Sequence, residues 1–306
     1  MAHPLLILAR QADAYRRLIA AANFPELECL DEAEAGRAEI VLGEPARIAP
    51  ELERLPRLRW VQSIWAGVEP LIAPGLRRDY TLTNARDVFG PLMAEYVFGY
   101  LLAHERQMPA RWRAQQDRRW EPGRPGRLQG KTLGLLGVGS IGAALAQAAA
   151  AFQLRVVGYT RRSQAGPGVA AFYHGDEWPA FAGQLDYLVG TLPATPATRH
   201  FLDAGRLSAL PARAVFVNVG RGSTVDSAAL ADALSAGRLA AAVLDVTEPE
   251  PLPAAHVFWD TPNLTLTFHT AAPSFPEDLV GVFLENYARF RAGVPLRHTV
   301  DFAAGY

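Results

Sequence analysis

Short apolar runs alternate with polar, helix-like stretches along most of this chain. In the N-terminal third, residues 4–9, 40–43, 60–65 and 80–84 are rich in Leu, Ile and Val and bounded by Gly, Pro or Asn, the pattern of buried strands. Residues 13–22 between the first two predict a helix. Such alternation implies a parallel sheet with helices on both faces. Residues 91–107 follow, with Leu92, Val97, Leu101 and Leu102 broadly at helical spacing and Pro91 suited to a first helical turn. Residues 111–127 are polar and end in a Pro/Gly succession, which predicts a loop or linker.

A second alternating series opens at Lys131. Its predicted strands are 132–136, 155–159, 187–190, 214–219, 241–245 and 264–267, and a final helix is expected over 276–292. The plan is therefore two doubly wound α/β lobes, the second inserted before the C-terminal helix returns to the first.

Composition narrows the possibilities. The chain has 306 residues, half of them hydrophobic, 20% charged, with a formal net charge of −1. That length suits two domains and that balance argues against a nucleic-acid partner. No apolar stretch reaches the roughly 18–20 residues of a membrane span, and the N-terminus lacks a signal-peptide pattern. Cys29, the only cysteine, can form no internal disulfide and anchors no metal cluster, so a reducing, cytoplasmic setting is expected. Lys131 is the only lysine, so finding Arg at a given place says little beyond the presence of a cation.

The strongest local signal is the turn after the 132–136 strand. Gly137, Gly139 and Gly142 match G-x-G-x-x-G, and Ser140 and Ile141 open the helix that follows. The first glycine permits the tight turn, the second lets backbone approach a pyrophosphate, and the third lets helix pack on strand. The helix N-terminus then offers N–H donors to the phosphates. The next strand ends in Thr160, Arg161 and Arg162, where an Asp or Glu would select NAD. Guanidinium groups suit a 2′-phosphate that a carboxylate would repel. The expected cofactor is NADP(H), with NAD(H) possible. The alternative is a solvated arginine pair.

Three later strands end in residues that fit carbonyl chemistry: Arg221, Glu250 and His269. In open α/β sheets ligands bind at the carboxyl ends of strands. A protonated histidine can neutralise the oxygen left by hydride addition, a carboxylate can keep it protonated, and an arginine can hold a substrate carboxylate. Singly, each residue has a plainer alternative as a core histidine, a loop cap or a solvated acid.

These motifs together resemble the D-isomer-specific 2-hydroxyacid dehydrogenases, and look most like the glyoxylate/hydroxypyruvate reductase branch. The resemblance rests on the glycine turn, on Asn218–Gly222 with Val225, Asp226, Ala229 and Leu230, on Leu244–Val246 with Glu250–Pro253, on Thr267–His269 and on Trp65–Glu69. It implies a flavodoxin-like substrate domain (1–98 and 269–306), an inserted Rossmann dinucleotide-binding domain (99–268), a cleft between them, and a homodimer. By resemblance His269 is the acid/base, Glu250 its partner (rather than Glu248) and Arg221 the residue that orients substrate. Ala66 and Gly67 would offer backbone N–H groups to the substrate carboxylate. Asp245 would contact the nicotinamide amide, and Leu192, Pro193 and Val219 would line the cofactor groove. The implied activity is NADPH-dependent reduction of a small 2-oxo acid.

Departures stand beside the match. Phe268 replaces the usual Pro before the histidine, which predicts a local difference in that loop, and Glu69 replaces an Asp. Trp65 narrows the space beside Ala66 and Gly67, favouring a small substrate. Trp120 in the linker is a candidate to reach a pocket, its own or a partner's, with packing or a dimer contact the plainer and preferred reading. Another 2-oxo acid, or NAD-linked use, is the nearest alternative. Formate oxidation is disfavoured, because relatives that perform it carry glutamine at the Glu250 position. A dinucleotide-sensing corepressor is the alternative outside catalysis.

Overall fold

The computed structural model describes residues 2–24, 26–303 and 305. The chain divides into two compact units, Met1–Val88 with Ser274–Tyr306, and Phe89–Pro273.

The first unit is a five-stranded sheet of β1 (His3–Leu8), β2 (Leu27–Cys29), β3 (Ile40–Gly43), β4 (Trp60–Ser63) and β5 (Thr81–Thr83). All pair in parallel in the order β2-β1-β3-β4-β5, the flavodoxin-like order. One face buries Leu6, Val41, Val61 and Leu82 with Ile48 and Leu52 from the connecting segments. On the other, Trp60 stacks on Phe283 at 5.3 Å, which seats the C-terminal helix Pro276–Arg291. Asn286 of that helix donates to Gln62 Oε1 (3.0 Å), and Thr83 donates to the same oxygen (2.8 Å). These buried polar groups satisfy one another, which fixes where the helix lands.

The second unit holds seven parallel strands: β6 (Thr132–Leu136), β7 (Arg155–Tyr159), β8 (Ala171–Tyr173), β9 (Tyr187–Gly190), β10 (Val215–Asn218), β11 (Ala241–Leu244) and β12 (Leu264–Leu266). Their order is β12-β11-β10-β9-β6-β7-β8, a Rossmann sheet extended by one strand. Buried on both faces, β9 and β10 are continuously apolar but for Gly190 and Asn218 at their ends. The two α/β sheets expected from the pattern are therefore present.

Three details differ from the expectation. Strands β2 and β8 were not foreseen. Each has only three residues, at a sheet edge and not fully buried; Leu27–Cys29 is mixed in polarity, and Ala171–Tyr173, though apolar, is shorter than a typical strand. Residues 108–116, partly read as linker, form a helix in which only Ala114 is buried, so no apolar stripe announces it. The units also divide at 88/89 and 273/274, rather than at 98/99 and 268/269. Helix Gly90–Glu105 contributes Val97, Phe98 and Leu101 to the core that holds Leu133, Leu145 and Val156, and Phe98 stacks on Phe152 at 4.9 Å.

Among the described residues no helix is long and apolar enough to cross a membrane, and no cluster of His, Cys, Asp and Glu could hold a metal ion.

Candidate active site

The glycine turn lies between β6 and helix Ser140–Ala151, beside the point where the strand order reverses from β6 to β9. Gly137 has φ +98°, and an added Cβ would lie 2.9 Å from the Thr191 hydroxyl, so both conformation and space demand glycine. Gly139 differs: a Cβ there would meet nothing within 4 Å. No packing of the chain's own atoms explains that glycine, and the room it leaves adjoins a helix N-terminus without a side-chain cap. Gly139 and Ser140 are exposed and Ile141 is half-buried, whereas Gly142 is buried with its Cβ position 2.6 Å from the Gly137 carbonyl.

At the end of β7 the side chain of Thr160 is buried and turned inward. Its hydroxyl donates to the Ser163 carbonyl (2.9 Å), and its own carbonyl meets His174 Nδ1 (2.8 Å). Thr160 thus closes the turn on which Arg161 and Arg162 stand exposed. Across the switch point Leu192 is half-buried and Pro193 exposed, while Val219 is packed into the core.

Arg221, Glu250 and His269 follow β10, β11 and β12, three neighbouring strands of one sheet edge. Asn218, the last residue of β10, accepts from the Gly220 N–H (3.1 Å) and donates to the Arg221 carbonyl (3.0 Å), which folds the arginine loop back on its strand. Gly222 then lies so close to the acidic loop that an added Cβ would fall 2.0 Å from the Thr247 carbonyl carbon. That contact is with backbone, which cannot swing aside. Gly222→Ala is therefore expected to lower stability by about 1–3 kcal/mol, read as an earlier midpoint in urea unfolding; an unchanged midpoint would contradict the packing.

Glu250 faces His269, with Oε2 2.8 Å from Nδ1, and its other oxygen accepts from the Thr247 N–H at 2.9 Å. Glu248 instead pairs with Arg199 at 2.9 Å. The hydrogen bond that His269 donates to Glu250 raises the pKa of the imidazole above its ordinary value against the opposing pull of burial, helped by the charges of Glu250 and Asp245 and opposed by Arg221. For Glu250, partial burial pulls upward, but the bonds from His269 and Thr247 and the charges of His269 and Arg221 outweigh it and leave the carboxyl below its ordinary range. With side chains 57% and 38% exposed, water screens both groups.

The turn carrying His269 has a feature that the sequence announced only as a departure. Phe268 and His269 both take left-handed conformations, φ 59° and 58°. Proline, locked near −65°, could not occupy the first of these positions. Asp245 holds the turn. It is 2% exposed, and its carboxylate accepts from Thr270 N–H (2.7 Å), Ala271 N–H (3.1 Å) and the Thr267 hydroxyl (2.7 Å), while its carbonyl accepts from the His269 N–H (2.6 Å). Asp245→Ala would leave the Ala271 N–H buried without a partner and remove the acceptor of the Thr270 N–H and Thr267 hydroxyl; a loss of about 1–3 kcal/mol in unfolding free energy is expected, and an unchanged unfolding free energy would contradict the clamp.

Sequence reasoning missed Thr247, Thr267 and Thr270 as supports. Thr267 carried a weak signal, a hydroxyl two residues before the histidine; the backbone donors carried none. Ala66 and Gly67 belong to the first unit, half-buried just past β4, where Asn84 Nδ2 donates to the Ala66 carbonyl at 2.7 Å. Trp120 is 96% exposed and so packs on nothing among the described residues of its own chain.

Residues 98–271 match the family model for the D-isomer specific 2-hydroxyacid dehydrogenase, NAD binding domain. The chain is 33% identical to glyoxylate/hydroxypyruvate reductase A of Serratia proteamaculans over 257 residues, 82% of each chain. Among solved structures, a D-isomer specific 2-hydroxyacid dehydrogenase family protein from Aeromonas salmonicida is 40% identical with TM-score 0.95, covering 99% of this chain and 100% of its own. The NADPH-dependent glyoxylate/hydroxypyruvate reductase of Sinorhizobium meliloti, solved with NADP and sulfate, is 30% identical with TM-score 0.88, covering 99% and 100%. The strand order agrees with these likenesses, and the chain belongs to the D-isomer specific 2-hydroxyacid dehydrogenases, a family of NAD(P)-dependent oxidoreductases.

Proposed function

We propose that this chain reduces glyoxylate or hydroxypyruvate to the 2-hydroxy acid with NADPH. The observation that carries the reading is the 2.8 Å contact between His269 and Glu250, at the sheet edge that also bears Arg221. The names of the Serratia and Sinorhizobium relatives support the substrate, and the NADP bound to the latter supports the cofactor.

Gly137, Gly139, Ser140, Ile141 and Gly142 would form the pyrophosphate turn, Arg161 and Arg162 would hold the 2′-phosphate, and Leu192, Pro193 and Val219 would line the cofactor groove. The reduced cofactor, when bound, supplies a hydride to the keto carbon. The chain's residues manage the oxygen and the carboxylate. Arg221 orients the acid, and its charge polarises the carbonyl. His269 gives its proton to the oxygen as negative charge develops there, and Glu250 stabilises the imidazolium before that transfer. Trp120, exposed in its own chain, is assigned to contact with a second copy in a homodimer.

The sign of the pH dependence follows. Reduction needs protonated His269, so kcat/KM should stay level at low pH and fall tenfold per pH unit above the raised pKa. Glu250→Gln removes the anion that raises it, and the fall should then begin at lower pH. Profiles of both enzymes with glyoxylate check this; an unmoved break would remove Glu250 from its role. The pair also links to stability. The contribution of His269 is full below its ordinary pKa and is lost as pH rises through the raised one. That of Glu250 is present above its ordinary pKa and is lost as pH falls through the lowered one.

A further inference from the structure

Asp245 ends a longer chain of hydrogen bonds. The hydroxyl of Tyr96, in helix Gly90–Glu105, lies 2.6 Å from Thr267 Oγ1, and Thr267 Oγ1 lies 2.7 Å from Asp245 Oδ1. Polarity along this chain is forced by proton count. The Thr267 hydroxyl donates its single proton to Asp245 Oδ1, so it must accept from Tyr96. Tyr96 is half-buried and its ring packs against Tyr100 at 4.8 Å, which limits where its hydroxyl can go. Burial also keeps that phenol protonated, with its pKa well above the ordinary value.

We propose that Tyr96 and Thr267 are positioning residues for the proton donor, holding Asp245 so that the left-handed turn at Phe268 and His269 aims the imidazole at Glu250. Two consecutive residues in a sparsely populated backbone region persist only where surrounding bonds over-determine them. Here the bonds converge on Asp245, and Tyr96 is the contact that ties the cluster to a helix 171 residues distant in sequence. The groups that set the charge on His269 are Glu250, Asp245 and Arg221. Tyr96 carries no charge and so acts on His269 through position.

The inference rests on His269 being the proton donor, so its test uses two readouts. Tyr96→Phe is expected to lower kcat for glyoxylate about tenfold, since small misplacements at a reacting centre cost that much or more, with NADPH Kd changed less than about twofold. The His269 ring, assigned among seven histidines by comparison with His269→Gln, should titrate at lower pH by NMR in Tyr96→Phe than in the wild type. Thr267→Val should behave as Tyr96→Phe does, Thr267→Ser should restore wild-type values, and the Tyr96→Phe, Thr267→Val double variant should lose little more than either single one. Wild-type turnover and an unmoved His269 titration in Tyr96→Phe, with or without a lower melting temperature, would overturn the proposal. So would full additivity of the two losses. A wild-type enzyme inactive on every 2-oxo acid would overturn the functional reading instead, and the His269 titration would still decide the positioning role.

Discussion

Replacing His269 with alanine is expected to lower kcat for reduction of the 2-oxo acid by about 10²- to 10⁴-fold, the range that a positioned general acid contributes. The loss should fall on kcat and kcat/KM together, because the proton is needed only as the oxygen gains charge. NADPH affinity should change less than about twofold, since the glycine turn that would hold the cofactor follows β6 while His269 follows β12 at the edge of the sheet. His269→Gln separates two contributions: glutamine can keep a hydrogen bond but cannot supply an acidic proton, so it should be nearly as slow as alanine. Steady-state rates with glyoxylate and a fluorescence titration with NADPH check both points. Near-normal turnover in either variant would take His269 out of the mechanism.

The second large effect concerns the cofactor. Arg161→Ala with Arg162→Ala should weaken NADPH by about 30-fold or more, the worth of two charge-assisted bonds in a partly screened setting. NADH, lacking the 2′-phosphate, should weaken less than about threefold. Added salt should shrink the difference between wild type and variant, because exposed cations are screened over about 10 Å at 0.1 M. Thr160 gives a control of a different kind. Its hydroxyl is spent on the Ser163 carbonyl, so Thr160→Val should disturb the turn and loosen NADPH without removing a charge. Equal losses for NADPH and NADH in the arginine variant would leave the pair as ordinary surface charge.

What was legible in the sequence follows from how local its cause is. The glycine turn is a steric demand within a few residues, and the demand appears in the spacing itself. Gly137 needs its positive φ and Gly142 its close approach, whatever the rest of the chain does. Buried strands such as β9 and β10 were plain because a parallel sheet covered on both faces requires apolar residues in succession. Strands β2 and β8 were not, since three residues at an edge are too few to set a pattern and, in β2, are also mixed in polarity. Helix Met108–Gln116 hid for a related reason: with Ala114 alone buried, no periodicity is needed.

The site divides in the same way. His269, Glu250 and Arg221 could be nominated because each ends a recognisable strand. Their support could not. Asp245 grips Thr270 and Ala271 by backbone N–H groups that every residue type supplies, so nothing in the letters marks the clamp. Phe268 showed in sequence only as a missing proline, and the meaning of that departure is conformational, a φ that proline cannot reach. Gly222 was visible within its motif, but its reason, the backbone at Thr247, lies in another loop. Tyr96 is further still from Thr267 along the chain, and only the fold joins them.

Turnover of small 2-oxo acids at the expense of NADPH is the activity proposed for this protein. The most direct test follows absorbance at 340 nm while the purified chain is given NADPH or NADH with glyoxylate, hydroxypyruvate, pyruvate and larger 2-oxo acids in turn. Oxidation of NADPH by glyoxylate or hydroxypyruvate, with higher kcat/KM than for the larger acids and than with NADH, is the predicted result. Measurable NADPH binding with no oxidation by any of these acids would contradict it.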